Sequence, residues 1–185
     1  MLSRFLERIL FLIQRRWLKT YLSAVDFTYN EVLDIGCGRG WYAELFPQNY
    51  TGIDIDAEAI ESARKDYPYA EFVIMSADRL SFPDEKFALV FCNAILHHLD
   101  DEGVAQAFKE MIRVTKHNGK ILIIDIVLPK KWQWFGRWVF KLDKGAKART
   151  TDGLVSLLSQ AGLTTTYINE KRFLNLEVVI LEYRR

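Results

Sequence analysis

The fold of this chain is decided by one stretch, Val32-Leu33-Asp34-Ile35-Gly36-Cys37-Gly38-Arg39-Gly40. An apolar run ends there in an acid, and three glycines follow at every second position. Glycines after a strand let the backbone turn sharply and let a ligand lie against it, because no Cβ intrudes. A second apolar run ends at Asp54, and an acid at the tip of a second strand suits the two hydroxyls of a ribose. Together the two runs predict a site for a compound that contains a nucleoside.

The charge of the glycine loop discriminates between two nucleoside cofactors. The loop reads G-x-G-x-G rather than the G-x-G-x-x-G of dinucleotide sites. Asp34, two residues before the first glycine, would repel a pyrophosphate at short range. The same carboxylate would attract the ammonium group of S-adenosylmethionine (SAM), whose own carboxylate can use the N–H groups at the start of the following helix. The loop therefore favours SAM over NAD.

Further blocks along the chain carry a family resemblance. Leu80 to Asp84 followed by Phe87 to Val90 is similar to L-P-F-P-D…F-D-x-V, Asn93 to Leu99 is similar to x-x-x-L-H-H-L, and Arg113 to Lys120 falls where R-V-L-K-P-G-G is expected. With the glycine loop, these blocks resemble a class I SAM-dependent methyltransferase of the group that includes quinone-biosynthesis enzymes, from about Glu31 to Asp125. The departures are Ala88 for an acid and His117-Asn118 for Pro-Gly.

The resemblance implies which residues bind the cofactor. The predicted cofactor-binding residues follow the first four strands: Asp34, Gly36, Cys37, Gly38, Gly40, Asp54, Ile55, Ser76, Ala77, Asp78 and Asn93. Ile55 is expected to pack on the adenine face. Two choices stay open, because Asp56 could replace Asp54 as the ribose acid and either Ser76 or Asp78 could meet the adenine amino group.

Two adjacent histidines, His97 and His98, are the candidate catalytic residues. A histidine titrates near neutrality and can take a proton from a nucleophile. In the family such a pair often begins a helix and shapes the pocket, so two interpretations remain: a pocket-wall role for the pair, or a general-base role for one of them. Adjacent histidines at a strand–helix junction point apart and no third ligand is evident, so no metal site is predicted.

Apolar runs alternate with helical patterns, which predicts βαβ units around a parallel sheet. We expect an α/β fold with a Rossmann-like, doubly wound sheet of seven strands in a single domain, residues 1–185; the resemblance implies that the last strand is antiparallel. Strands are predicted near Glu31–Ile35, Tyr50–Asp54, Glu71–Met75, Phe87–Cys92, Lys120–Val127, Thr164–Asn169 and Glu177–Tyr183. Helices are predicted near Leu2–Ser23, Trp41–Leu45, Ala57–Asp66, Val104–Thr115 and Thr151–Ala161, with Asp56 and Asp101 as N-caps and Gly162 as a stop.

Composition narrows the class of protein. At 185 residues, 50% of them hydrophobic, the chain is long enough for one domain with a substantial core. A formal net charge of +1 indicates neither disorder nor bulk binding to nucleic acid. Cys37 and Cys92 are typical of a reducing compartment, with two reduced thiols favoured over a disulfide. No stretch reaches the roughly 18 apolar residues of a membrane-spanning helix, so a cytoplasmic protein is predicted.

Two stretches lie outside the family pattern. Residues 1–24 are predicted to form an amphipathic helix with basic residues on one side. Residues 129–150 are predicted to form an insertion whose first part, Pro129–Lys141, holds three of the five tryptophans among four basic residues. The default interpretation is a helix that covers the sheet and a lid over the substrate. The alternatives are peripheral contact with the anionic inner face of a membrane and, disfavoured by the near-neutral charge, single-stranded RNA binding.

These observations predict an enzyme that moves a methyl group from SAM to a small, apolar or aromatic acceptor, with S-adenosylhomocysteine as the product. The protein would mainly align the partners and exclude water, and proximity alone can lower a barrier by roughly 7–11 kcal/mol. A base is needed only for an acceptor that arrives protonated, such as a phenol. A SAM-binding protein without catalysis, regulatory or membrane-associated, is the alternative, and the sequence indicates no oligomeric state.

Overall fold

A computed structural model describes residues 16, 20–21, 31–128, 147, 149–162, 167–173 and 176–184. From residue 31 onward, these residues form seven strands and three α-helices, with 3₁₀ turns at Ala43–Leu45 and Leu96–His98. In chain order the elements are β1 (Val32–Ile35), β2 (Tyr50–Asp54), α1 (Ala57–Asp66), β3 (Glu71–Ile74), β4 (Phe87–Asn93), α2 (Asp101–Val114), β5 (Thr115–Val127), α3 (Thr151–Gln160), β6 (Tyr167–Phe173) and β7 (Leu176–Arg184).

The strands form one sheet in the order β3-β2-β1-β4-β5-β7-β6. The first five strands pair in parallel, and β7 runs antiparallel between β5 and β6. The strand order reverses at β1, which lies between β2 and β4, and a reversal of this kind opens a crevice beyond the carboxyl ends of the strands. The predicted α/β, Rossmann-like sheet of seven strands in a single domain, with its last strand antiparallel, is confirmed.

The helices begin and end at residues with specific side-chain or backbone chemistry. Asp56 accepts the N–H groups of Glu58 and Ala59, at 2.9 and 3.1 Å, and so caps α1 as predicted. The prediction that Asp101 caps α2 is wrong: Asp100 accepts the Gly103 N–H at 2.9 Å, so the helix takes in Asp101 itself. Gly162, with a φ of 95°, follows α3 as the predicted stop.

Side chains of successive strand residues face opposite sides of the sheet, and each side has its own core. On one side, α2 and α3 pack on strand residues such as Leu33 and Ile121. On the other, α1 and the first 3₁₀ turn pack on residues such as Val32 and Leu122. Cys92 belongs to the first core and Cys37 to the second, and both thiols are free, in agreement with the prediction.

Several element boundaries differ from the sequence prediction. The predicted Trp41–Leu45 helix is only the 3₁₀ turn Ala43–Leu45. Strand β5 begins at Thr115 rather than Lys120, since the expected turn is contained as an irregularity: the register with β4 shifts, and Asn118 has a φ of 63°. Strand β6 spans Tyr167–Phe173, later than the predicted Thr164–Asn169.

Two predicted segments lie largely outside the described residues. These are the amphipathic helix at 1–24 and the insertion at 129–150. In the first segment only Arg16, Thr20 and Tyr21 are described, and they are helical; in the second only residues 147, 149 and 150, at its end, are described. No helix within the described residues has the length and apolar character needed to cross a membrane.

Candidate functional site

The glycine loop after β1 turns through three residues of positive φ: 74° at Gly36, 51° at Gly38 and 72° at Gly40. A Cβ on Gly36 would meet Ile95 at 2.1 Å, and one on Gly40 would meet the Phe72 ring at 2.5 Å, so both positions also need glycine for packing. At Gly38 no atom of the described residues lies within 4 Å of such a Cβ. The loop is therefore packed from below at its two ends and open at its middle, where a ligand can approach the backbone.

Asp54 ends β2 and holds this loop in place. Its Oδ2 accepts the Gly38 N–H at 2.8 Å, and its Oδ1 accepts the Asp56 N–H at 3.0 Å. Each carboxylate oxygen has further acceptor capacity, which is the chemistry that binds a pair of ribose hydroxyls. The side chain of Asp56, by contrast, is engaged at the start of α1. The geometry favours Asp54 over Asp56 as the ribose acid.

Asp34 is buried at the end of β1 and accepts a hydrogen bond of 2.5 Å from the Tyr50 hydroxyl. Burial raises the pKa of the Asp34 carboxyl to about 7; the nearby charge of Asp54 raises it further, and the Tyr50 hydrogen bond lowers it. A cation placed beside this carboxyl would favour its ionised form. The sequence did not reveal Tyr50 as a partner, because nothing in an apolar strand marks one tyrosine for this contact.

Asn93, at the end of β4, carries the second acceptor on this side of the sheet. Its Nδ2 donates to the Tyr42 hydroxyl at 3.1 Å, while its buried Oδ1 has no hydrogen-bond partner among the described residues. A buried acceptor without a partner costs free energy, so a donor is expected to complete the site. Since β1 lies directly beside β4, the carboxyl ends that carry Asp34 and Asn93 are neighbours.

The remaining predicted contacts lie beyond β2 and β3. Ile55 is 76% exposed although it is a large apolar residue, which suits a side chain that a planar ring would cover. After β3, Ser76 and Asp78 are exposed and Ala77 is half-buried. Asp78 lines a surface groove of about 540 Å³ together with the start of α2. Either Ser76 or Asp78 is accessible to an adenine amino group, so that choice stays a prediction.

Taken as a set, these residues fit SAM. The open glycine and the exposed Ile55 suit an adenosine, and Asp54 suits its ribose. The Asp34 carboxyl and the unsatisfied Asn93 Oδ1 are both acceptors, which suits an ammonium group and would repel a pyrophosphate. Burial raises the pKa of the Cys37 thiol well above its ordinary range, with Asp34 and Asp54 contributing, so Cys37 contacts this site as a small apolar residue and not as a nucleophile.

The two histidines occupy different environments. His97 is buried, and its Nδ1 lies 2.5 Å from Oδ1 of Asp125 on β5. His98 is exposed, and its ring centroid lies 4.1 Å from that of His97. The sequence did not assign Asp125, although a signal was present: it is an acid within the apolar run Ile121 to Val127. No group of metal-ligating side chains suited to an ion occurs in the part of the chain that the structure describes.

Asp125 and Asp34 lie on opposite faces of the sheet. Asp34 lies two residues from Val32 and so faces the same side of the sheet, where it contacts Tyr50; Val32 and Tyr50 both belong to the α1-side core. Asp125 faces the same side of the sheet as Ile121 and Ile123, which belong to the core under α2 and α3. The structure therefore places Asp34, the glycine loop, Asp54 and Asn93 at the ends of β1 and its two neighbours, with Ser76 to Asp78 farther away after β3. The His97–Asp125 pair lies on the opposite face of the sheet, with Asp125 on β5.

Comparison with known proteins identifies a methyltransferase domain in this chain. Residues 33–123 match the model of a methyltransferase domain. An uncharacterized methyltransferase, YcgJ, of Bacillus subtilis is 34% identical over 109 residues, which are 55% of this chain and 42% of that protein. A demethylmenaquinone methyltransferase of Chlorobaculum tepidum is 32% identical over 104 residues, 54% of this chain and 42% of that protein. The chain thus spans less than half the length of these two relatives.

A solved structure extends the similarity across most of the chain. A SAM-dependent methyltransferase from Methanosarcina mazei is 26% identical, with a TM-score of 0.70, over 83% of this chain and 91% of that one. At 83% of the chain, this match is longer than residues 33–123, which the family model covers.

Proposed function

Residues 33–123 of this chain form a methyltransferase domain within a class I fold, and from this premise we propose that the protein transfers a methyl group from SAM to a small, apolar or aromatic acceptor. One observation carries the proposal: two buried acceptors, the Asp34 carboxyl and Asn93 Oδ1, stand at neighbouring strand ends beside an open glycine. This pair is complementary to a cationic amino acid attached to a nucleoside.

Each group of the site has a distinct task in binding. Asp34 and Asn93 receive the ammonium group, Asp54 binds the ribose hydroxyls, and Ile55 covers one face of the adenine. When bound, SAM supplies a methyl group on a positively charged sulfur, which is already a good leaving group. The chain itself therefore needs to orient the acceptor and exclude water, and the alignment of the partners supplies the main rate enhancement.

His98 is the proposed general base for an acceptor that arrives protonated. The His98 ring is exposed and therefore accessible to an acceptor, whereas the His97 ring is buried. We assign His97 the task of fixing the turn and His98 that of taking a proton from a phenol or hydroxyl. An acceptor with a carbon or amine nucleophile would not need this step.

The acceptor class is drawn from two sources. The relative from Chlorobaculum tepidum is named for demethylmenaquinone, a quinone, and the aromatic residues of Pro129–Lys141 suit an apolar or planar molecule. The basic and aromatic residues at 1–24 and 129–150 favour peripheral contact with an anionic membrane surface that supplies such an acceptor. Co-sedimentation with anionic vesicles tests this contact, and no co-sedimentation of the full chain would exclude it.

Calorimetric titration of the full chain with SAM, S-adenosylhomocysteine and NAD tests the cofactor. We expect micromolar affinity for the first two and no binding of NAD. In Asp54→Ala the SAM dissociation constant should rise at least about tenfold, equivalent to about 1.4 kcal/mol.

Asp56→Ala is the matched control for this titration. It removes the cap of α1, so it should lower the melting temperature while leaving the SAM dissociation constant within about twofold. Binding of NAD, or a loss of SAM affinity in the control alone, would overturn the assignment.

A further inference from the structure

The chain returns from β5 to α3 across the histidine turn, the 3₁₀ turn Leu96–His98. The backbone N–H of Lys147 donates to the carbonyl of His97 at 2.5 Å. Two residues later, the Arg149 guanidinium donates to the carbonyls of Leu96 and Leu99, at 3.0 and 2.7 Å. Lys147 and Arg149 thus bind three carbonyls at this turn, and one of them, that of Leu96, also accepts the Leu99 N–H at 3.1 Å.

The Arg149 side chain is only 11% exposed, so it is held firmly. Its Nε donates to Oδ1 of Asp101 at 2.8 Å, which compensates the charge and joins the guanidinium to the first turn of α2. A planar guanidinium with several donors can bridge acceptors in fixed directions, which the single ammonium of a lysine cannot do. The geometry of this contact is therefore specific to arginine.

Arg149 also binds the residue that follows β5 through its backbone. The Leu128 N–H donates to the Arg149 carbonyl at 2.7 Å, so the chain leaves β5 and returns to α3 at one point. That point lies against the histidine turn and next to the carboxyl end of β5, which carries Asp125. The side chain and backbone of Arg149 thus join three parts of the structure: the histidine turn, the start of α2 and the end of β5.

We infer that Arg149 is a positioning residue, which fixes the histidine turn so that His98 faces the acceptor. This inference rests on the proposed methyl transfer and adds to it a residue outside the matched domain. Arg149 acts through the backbone of the turn and does not contact the cofactor residues around β1. Its loss should therefore affect the chemical step and not SAM binding.

Arg113 provides a matched control. Its guanidinium also donates to two carbonyls, those of Leu80 and Phe82, at 2.8 Å each, and pairs with carboxylates of Glu110 and Asp84. It fixes the loop that precedes β4, at the far end of that strand from the histidine turn. Replacement of either arginine removes a similar set of bonds, so a general loss of stability is common to both variants.

The experiment compares Arg149→Met, Arg149→Lys and Arg113→Met in the full chain. The probe reaction is tritiated methyl transfer from SAM to a prenylated hydroquinone, with SAM affinity measured separately by calorimetry. In Arg149→Met we expect kcat to fall at least about tenfold with the SAM dissociation constant within about twofold of wild type. Arg149→Lys should recover little, and Arg113→Met should keep its kcat while melting at a lower temperature.

A spectroscopic measurement keeps the inference separate from the choice of acceptor. The chain has three histidines, so the imidazole signals of His97, His98 and His117 can be followed through a pH titration by NMR. In both Arg149 variants the His97 and His98 titrations should shift while that of His117 stays. Unchanged His97 and His98 titrations, or wild-type kcat in Arg149→Met, would overturn the inference. If wild type methylates no hydroquinone, the acceptor proposal fails and the NMR result alone decides the role of Arg149.

Discussion

Two buried carboxyls, Asp34 and Asp125, mark the two sides of the site and differ in what they are bound to. Each lies in a hydrogen bond of 2.5 Å, Asp34 with the Tyr50 hydroxyl and Asp125 with His97 Nδ1. Burial raises the pKa of Tyr50 well above its ordinary value, so that partner stays neutral, whereas an imidazole can itself become a cation. Among the described residues, Asp34 therefore has no partner of opposite charge, and it is suited to bind a cation. Asp125 is suited to orient a histidine.

The replacement Asp34→Asn should produce the largest effect, since it removes the charge but keeps the shape and the acceptor for Tyr50. Hydrogen bonds to charged groups contribute about 1.5–3 kcal/mol. We therefore expect the SAM dissociation constant, measured by calorimetry near pH 8, to rise roughly 10- to 100-fold. Asp125→Asn is the control on the opposite face and should stay within about twofold. Equal losses in the two variants would erase the distinction between the carboxyls.

The pH dependence of SAM binding should show the second-largest effect. Because the pKa of Asp34 is raised to about 7 in the folded chain, the ionised form that attracts a cation becomes scarce below that pH. Affinity for SAM should therefore rise about tenfold per pH unit up to about pH 7 and level off above it. Titrations at several pH values in wild type and Asp34→Asn measure this, and a slope that persists in the variant would assign the dependence to another group.

The stability of the ligand-free chain should change least, and with opposite signs at the two positions. The folded state raises the pKa of Asp34 from 3.8 to about 7, so this carboxyl destabilises the fold progressively as pH rises through that interval. Near pH 8, Asp34→Asn should thus raise the free energy of unfolding by about 1 kcal/mol, after the cost of burying an amide. The gain should disappear below about pH 4.

Asp125→Asn should instead lower the free energy of unfolding by about 1 kcal/mol, because a charge-assisted bond to a buried imidazole is lost. Thermal melting near pH 8 measures both variants. A decrease in both would mean that Asp34 contributes to stability as Asp125 does.

The sequence predicted the side of Asp34 better than the side of Asp125, and the reason is the distance between partners along the chain. The glycine loop, β2, α1 and the Asp56 cap depend on neighbouring residues, and the structure agrees with each. The bonds from Tyr50 to Asp34, His97 to Asp125 and Arg149 to Leu96 join residues 16, 28 and 53 positions apart. A single sequence does not indicate which residues pair over such distances, although it can mark one of them, as it does with the acid Asp125 in an apolar run. The predicted parallel sheet indicated only that the strand ends lie at one edge.

The cap of α2 shows the same limit at short range. Asp100 and Asp101 are equally good capping residues by type, and the sequence alone cannot choose between them. In the structure Asp100 is the cap, while the Asp101 carboxylate binds Arg149 and the second oxygen of Asp100 binds Lys147 at 3.3 Å. Sequence reasoning therefore located the cap to within one residue, although the helix begins at Asp101 and not at the predicted Val104.

The two cysteines on opposite faces of the sheet make the chain its own reporter of local opening. Burial raises the pKa of both thiols well above the ordinary range, so neither reacts with an alkylating reagent until its core opens. Cys37 is part of the glycine loop and Cys92 lies in the other core, so their labelling rates measure the opening of each side separately. A cofactor that rests on the glycine loop would protect Cys37 more than Cys92. The ratio of the two alkylation rates would therefore measure how much of the protein has ligand bound.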